Sequence, residues 1–279
     1  MNESHENIDT LLFCLGGGLR TVPLAVLHDG KDFLVENYSI SRIPAFNLIE
    51  KDYVGLQNSP VLAMGASEFT DLNPLPAVPV EIKTIAQELW QGKVFLNETF
   101  TLQNLKAQLA SQDYKIVHLA THAEFQPGAP SNSFIQFWDS KLKLDRMRSI
   151  DWNRTPIELL VLSACKTAVG DKDAELGFAG LALQAGVKSA IASLWQVSNA
   201  GTLALMTEFY QHLQTAPIKA EALRQAQIAM IEGKVRLEGG ELRGSNRGLS
   251  LPPALAKLGN ENLRHPYYWA AFTMISSPW

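Results

Sequence analysis

Short apolar runs, Val61 to Met64, Ile116 to Ala120, Ile157 to Leu162 and Ser189 to Leu194, recur along this chain with segments of helical period between most of them. Each run is too short for a buried helix, is rich in β-branched and leucine side chains, and lacks the polar alternation of a half-solvated strand. Runs of that kind are buried on both faces, which demands helices above and below a mainly parallel sheet. The expected fold class is therefore α/β, a three-layer sandwich with a central, mostly parallel sheet flanked by helices.

The intervening segments support this. Ile82, Ile85 and Leu89 recur at helical spacing, as do Leu102, Leu105 and Leu109 after a short strand over Val94 to Leu96. Leu176 to Ala185 predicts a helix stopped by Gly186. Leu203, Met206, Tyr210 and Leu213 share one face of another, with Ser198 or Asn199 available as its cap, and Pro217 opens a further helix with Leu223, Ala226 and Met230 inward. Phe134 to Phe137 and Lys141 to Leu144 predict a small hairpin turned at Asp139 and Ser140. Leu11 to Leu15, with Phe33 to Ile40 after a turn at Asp29 and Gly30, is expected to form a strand and hairpin that annex the main sheet, and Tyr267 to Ile275 to close it as a last strand. The glycine-rich, charged stretch Glu232 to Gly248 reads as a mobile surface loop. Neither an internal repeat nor a domain linker stands out, so the expectation is one domain over 11–279 after a flexible segment, 1–10.

Composition narrows the function. With 24 Lys+Arg against 28 Asp+Glu, a net charge of -4 offers no broad cationic surface for a phosphate backbone, which argues against nucleic acid as the main partner. The longest apolar stretch, Leu181 to Trp195, is broken by Gln184, Gly186 and Lys188, short of the roughly 18 to 20 residues of a membrane span. The acidic, polar start does not have the chemistry of a secretory or transit leader, so a soluble, cytoplasmic protein is expected. Two cysteines, outside any Cys-x-x-Cys pair, form neither a disulfide framework nor a zinc site, and paired metal ligands at short spacing are lacking; no metal or cofactor is expected.

In open α/β sheets reactive groups sit beyond the carboxyl ends of the strands. Ile116 to Ala120 runs into Thr121 and His122, and Ile157 to Leu162 runs into Ser163, Ala164 and Cys165. Neighbouring strands lie about 4.8 Å apart, so these two could bring an imidazole and a thiol to one carbonyl. A free thiol near pKa 8.5 is only about 3% thiolate at pH 7, which the imidazole would correct. Cys165 as nucleophile, His122 as acid and base, and the Cys165 N–H as an oxyanion donor form one reading; a small buried thiol and an ordinary loop histidine form the other. His118 reads as a satisfied core histidine or one that supports the site residues, Cys14 as packing in a strand, and Gly16 to Gly18 as a loop, because no phosphate-loop lysine follows. Tyr267, Tyr268, Trp269, Phe272 and Trp195 are assigned to packing. Glu124, Asp139, Asp171, Asp173 and Glu175 are candidates for an acidic lining that would favour Lys or Arg before the cut, against the alternative of solvated loop residues. The loops Ala123 to Ser133 and Glu232 to Gly248 are candidate substrate gates.

His118-Leu-Ala-Thr-His122, Leu162-Ser-Ala-Cys165-Lys-Thr167, Ala185-Gly-Val187 with Ser193-Leu-Trp-Gln-Val197, and His265-Pro-Tyr-Tyr-Trp-Ala-Ala-Phe272 together resemble the CHAT family from about Leu11 to the last residue. These are caspase-like (clan CD) domains often joined to tetratricopeptide repeats. The glycine-rich start and the stretch Leu19 to Ser39 look most like the heterocyst-regulating, cyanobacterial HetF branch. The resemblance implies a caspase-like peptidase with His122 and Cys165 as its dyad, a protein or peptide substrate and regulatory proteolysis; the chain is then either a stand-alone member or a region excised from a longer parent chain, whose tetratricopeptide repeats would be a partner. Many relatives carry glycine after the histidine, whose N–H joins the oxyanion hole; Ala123 keeps that N–H. Asn199 stands where an acidic residue is more usual. An inactive caspase-like scaffold for protein–protein interaction, and acyl transfer on a small amide, are the rival functions.

Overall fold

The computed structural model describes residues 8–49, 52–126, 130–152, 156–164, 177–245 and 248–279. The chain opens with β1 (Thr10–Phe13), a short turn of helix α1 (Leu34–Asn37) and β2 (Ser39–Arg42). Then come β3 (Val61–Gly65), helix α2 (Val78–Lys83), continued by a wider π turn over Thr84–Leu89, β4 (Gly92–Leu96), α3 (Leu102–Ser111) and β5 (Ile116–Ala120). A small antiparallel sheet follows: β6 (Ala123–Glu124), β7 (Phe134–Gln136) and β8 (Lys141–Lys143). The chain re-enters the main sheet at β9 (Leu159–Ser163), then forms α4 (Gly177–Gln184), β10 (Ser189–Ser193), α5 (Asn199–Leu213) and α6 (Lys219–Ile231). A second small sheet holds β11 (Arg236–Glu238), β12 (Glu241–Arg243), β13 (Gly248–Ser250) and β14 (Glu261–Asn262), with α7 (Pro253–Ala256) between the last two. Helix α8 (Pro266–Trp269) and β15 (Phe272–Ser276) end the fold.

The main sheet runs β1-β2-β15-β10-β9-β5-β3-β4. Every neighbouring pair is parallel except β10 with β15, so five strands point one way and three the other. Strand periodicity divides its side chains between two cores. Val61, Ala63, Ile116, Ala120, Leu159 and Val161 face the layer of α2, α5 and α6, while Leu62, Met64, Val117, Leu119, Leu160 and Leu162 face that of α3 and α4. This is the α/β sandwich with a mostly parallel central sheet that the apolar runs predict.

Four local expectations are corrected. The described part of 232–248 is not an open loop: β11 and β12 form a hairpin about Gly239 and Gly240, both at positive φ, and turn Leu237 and Leu242 into the core, where Leu249 of β13 joins them. The turn at Asp29 and Gly30 is present, closed by an antiparallel bridge between His28 and Phe33, but the chain after it forms α1 and then β2, which lies parallel to β1. Tyr267 and Tyr268 belong to α8, begun by Pro266 with His265 Nδ1 accepting from Tyr267 N–H at 3.1 Å, and only Phe272 onward is strand. Cys14 follows β1 and is exposed, not packed.

Candidate active site

The β5–β9 ladder sets the geometry. These strands are parallel neighbours with Ala120 opposite Ser163, and the Thr121 N–H reaches the Ser163 carbonyl at 3.4 Å. His122 follows Ala120 by two residues, as Cys165 follows Ser163 along the sequence. Cys165 itself, with Asp171, Asp173 and Glu175, lies outside the described residues. Ala164, just before it, is buried, and its carbonyl accepts from the Ser193 hydroxyl at 2.6 Å, which ties this end of β9 to β10.

His122 is half-buried and held from three sides. Its carbonyl accepts from Gln136 N–H of β7 at 2.9 Å. Its ring stands edge-on to Phe69, centroids 4.7 Å apart, and its Nε2 lies 2.8 Å from the Asn73 carbonyl. A carbonyl only accepts, so Nε2 carries the hydrogen and Nδ1 is the nitrogen that can take or give a proton. The segment 66–77 that supplies both partners is fastened across its base by Leu75 N–H on the Ser67 carbonyl at 2.9 Å, and to the end of β4 by Ser67 N–H on Asn97 Oδ1 at 2.8 Å.

Ala123 opens β6, the outer strand of the small sheet, opposite Ile135. With His122 and Gln136 as the hydrogen-bonded pair, Ala123 occupies a non-hydrogen-bonded position, so its N–H points away from β7. Beside His122 a cleft of about 520 Å³ is lined by Glu68, Phe69, Asp71, Gln136, Trp138 and Lys141, among others. Of the acidic candidates, Glu124 accepts from Gln126 and Asp139 from Ser140, both exposed, and neither lines this cleft. The acidic groups that do, Glu68 and Asp71, follow β3, a third strand ending at the same edge; the strand-end argument extends to them, but their exposed, non-motif sequence did not single them out.

Beneath this edge lies a buried polar set. Glu81 of α2 places Oε1 2.6 Å from the Ser163 hydroxyl on β9 and 3.1 Å from His118 Nε2 on β5. His118 Nδ1 is 3.2 Å from the Tyr210 hydroxyl on α5. Burial, and secondarily the Glu81 charge, push the Tyr210 phenol well above its ordinary value, so it keeps its proton and can donate to His118. Of the aromatic group, Trp269 and Phe272 are buried, whereas Tyr267 is 42% exposed and its carbonyl accepts from Trp195 Nε1 at 3.3 Å. Among the described residues no cluster of His, Cys, Asp and Glu could hold a metal ion, and no helix is long and apolar enough to cross a membrane.

Among solved structures, the Arg specific cysteine proteinase gingipain R (RgpB) of Porphyromonas gingivalis superposes with a TM-score of 0.52 at 11% identity, over 87% of this chain and 55% of that one. A chain of the Saccharomyces cerevisiae separase–securin complex gives 0.54 at 14% identity, over 92% of this chain and 14% of that one. The chain thus spans only part of either neighbour, and at such identities the likeness is one of fold, which is caspase-like. No curated protein matches the sequence. The family model of the CHAT domain, by contrast, matches residues 2–277, nearly the whole chain, and with the caspase-like sheet beneath that match the protein belongs to the CHAT domain family.

Proposed function

We propose that this chain is a cysteine endopeptidase that cleaves a protein partner through His122 and Cys165. The observation that carries the reading is the Ala120–Ser163 register, which starts both residues from adjacent strand ends. His122 and Cys165 also continue the parity of His118 and Ser163, the residues of each strand that meet Glu81.

The chemistry divides among few groups. The Cys165 thiolate attacks the scissile carbonyl carbon, forming the S–C bond, and the resulting oxyanion is taken by the Ala123 N–H with that of Cys165. Collapse breaks the C–N bond while the imidazolium of His122 gives its Nδ1 proton to the leaving amine. The same nitrogen then draws a proton from water, whose oxygen attacks the thioester; the thiolate leaves and the acid is released. Asn73, by holding Nε2–H, keeps the ring in the tautomer this requires. The substrate would lie extended along the open edge of β6, adding its main chain to that strand, with one side chain in the cleft beside Phe69.

The test is to incubate the purified chain with candidate partner proteins and follow their cleavage. Cys165→Ala and His122→Ala, each folded, are expected to lose at least about a thousandfold in rate. Full cleavage by either variant removes the dyad assignment, and failure of the unaltered chain to cleave any partner it binds favours an interaction scaffold.

A further inference from the structure

The buried set below the dyad does more than fill the core. Glu81 is 2% exposed, His118 and Tyr210 0% and Ser163 6%. Removing a carboxylate from water costs several kcal/mol, and an apolar side chain of similar volume commonly serves stability as well or better. The position of this carboxylate is therefore better explained by what it joins. One oxygen, Glu81 Oε1, receives a hydroxyl from the strand that runs into Cys165 and a ring N–H from the strand that runs into His122. Glu81 itself sits one turn into α2, the helix that follows segment 66–77, whose Asn73 carbonyl and Phe69 ring hold His122. Three elements that supply the site thus converge on one atom, within two residue pairs of the end of the β5–β9 ladder.

We infer that Glu81 is a positioning residue: by accepting from Ser163 and His118 together it locks the ends of β9 and β5 and the approach of segment 66–77 in the one arrangement in which Cys165 meets His122. This rests on the dyad reading above. Tyr210 closes the far side of the set by donating to His118 Nδ1, so it orients the ring without touching the strand that leads to Cys165.

The contact between Glu81 and Ser163 can be cut without changing any charge. The readout is the rate at which iodoacetamide labels Cys165 at pH 7, measured by peptide mass mapping against exposed Cys14 in the same molecule, with the melting temperature recorded alongside. In the unaltered chain Cys165 is expected to react faster than Cys14. Ser163→Ala should slow it about tenfold, toward an ordinary thiol, as a rise of one unit in its pKa would. Ser163→Thr, which retains the hydroxyl, should recover most of that rate. Tyr210→Phe, which also removes a buried hydrogen bond, should lower the melting temperature and leave the labelling rate in place. Ser163→Ala labelling as fast as the unaltered chain overturns the positioning role while the dyad stands; Cys165 reacting no faster than Cys14 in the unaltered chain brings down the dyad reading, and this inference with it.

Discussion

A lysine ammonium that is 4% exposed, in the first turn of α6, shows what this fold tolerates away from the site. Burial lowers the pKa of Lys219 from 10.5 to about 8, partly opposed by the Glu158 carboxylate nearby. Because the folded value lies below the unfolded one, the unfolded chain binds the extra proton between the two. The penalty is thus fully present below about pH 8 and fades as pH rises toward 10.5. Free energies of unfolding measured by denaturant at pH 8 and pH 10 should rise with pH in the native chain, and that rise should be missing from Lys219→Met. A slope identical in both would contradict the assignment. Individual side chains were unevenly legible. His122 stands out because it follows an apolar run directly, but Glu81, Phe69 and Asn73 look in sequence like an ordinary helix carboxylate and loop residues. Their importance comes from distances across the fold, which spacing along the chain does not encode. Cys14 shows the converse: an apolar neighbourhood suggested packing, yet β1 ends at Phe13 and leaves the thiol in solvent.

Elements buried on two faces were the easiest to read. Val61 to Gly65, Ile116 to Ala120 and Ser189 to Ser193 lie within a residue of their expected bounds, since a strand covered on both sides has no polar alternation to blur it. Short elements stabilised by their neighbours were harder. The stretch 232–248 carries charges on exposed edges, yet its Leu-Glu-Gly-Gly-Glu-Leu sequence over 237–242 is a two-glycine hairpin signal, both glycines taking positive φ. At Tyr267, aromatic β-propensity lost to the helix-starting proline before it. Gly65, at the end of β3, carries a prediction of its own. A Cβ there would lie 2.4 Å from the Ala120 carbonyl oxygen and 2.7 Å from Val78 Cγ1, so the missing side chain is what lets α2 approach β5 beneath His122. Gly65→Ala should destabilise the chain by about 1 to 3 kcal/mol in denaturant unfolding, through overpacking. A variant as stable as the parent would show that α2 has room to spare.

At the scale of the whole molecule, two apolar cores cover opposite faces of one eight-stranded sheet, and the proposed site lies at the strand ends between them. Of the five strands that end there, β3, β5 and β9 are adjacent at the centre, and the small sheet of β6 to β8 follows β5 directly. The layered architecture was legible because burial writes itself into hydrophobic pattern. The reversal at β10 and β15 was not, since a buried strand reads alike in either direction. The account depends above all on His122 and Cys165 sharing one accessible notch at this edge. A crystal structure of the chain treated with a peptide aldehyde measures that directly. The account predicts a thiohemiacetal on Cys165, its sulfur within about 3 to 4 Å of His122 Nδ1 and its oxygen toward the Ala123 N–H. An unmodified Cys165, or a sulfur on the sheet face away from the imidazole, would contradict it.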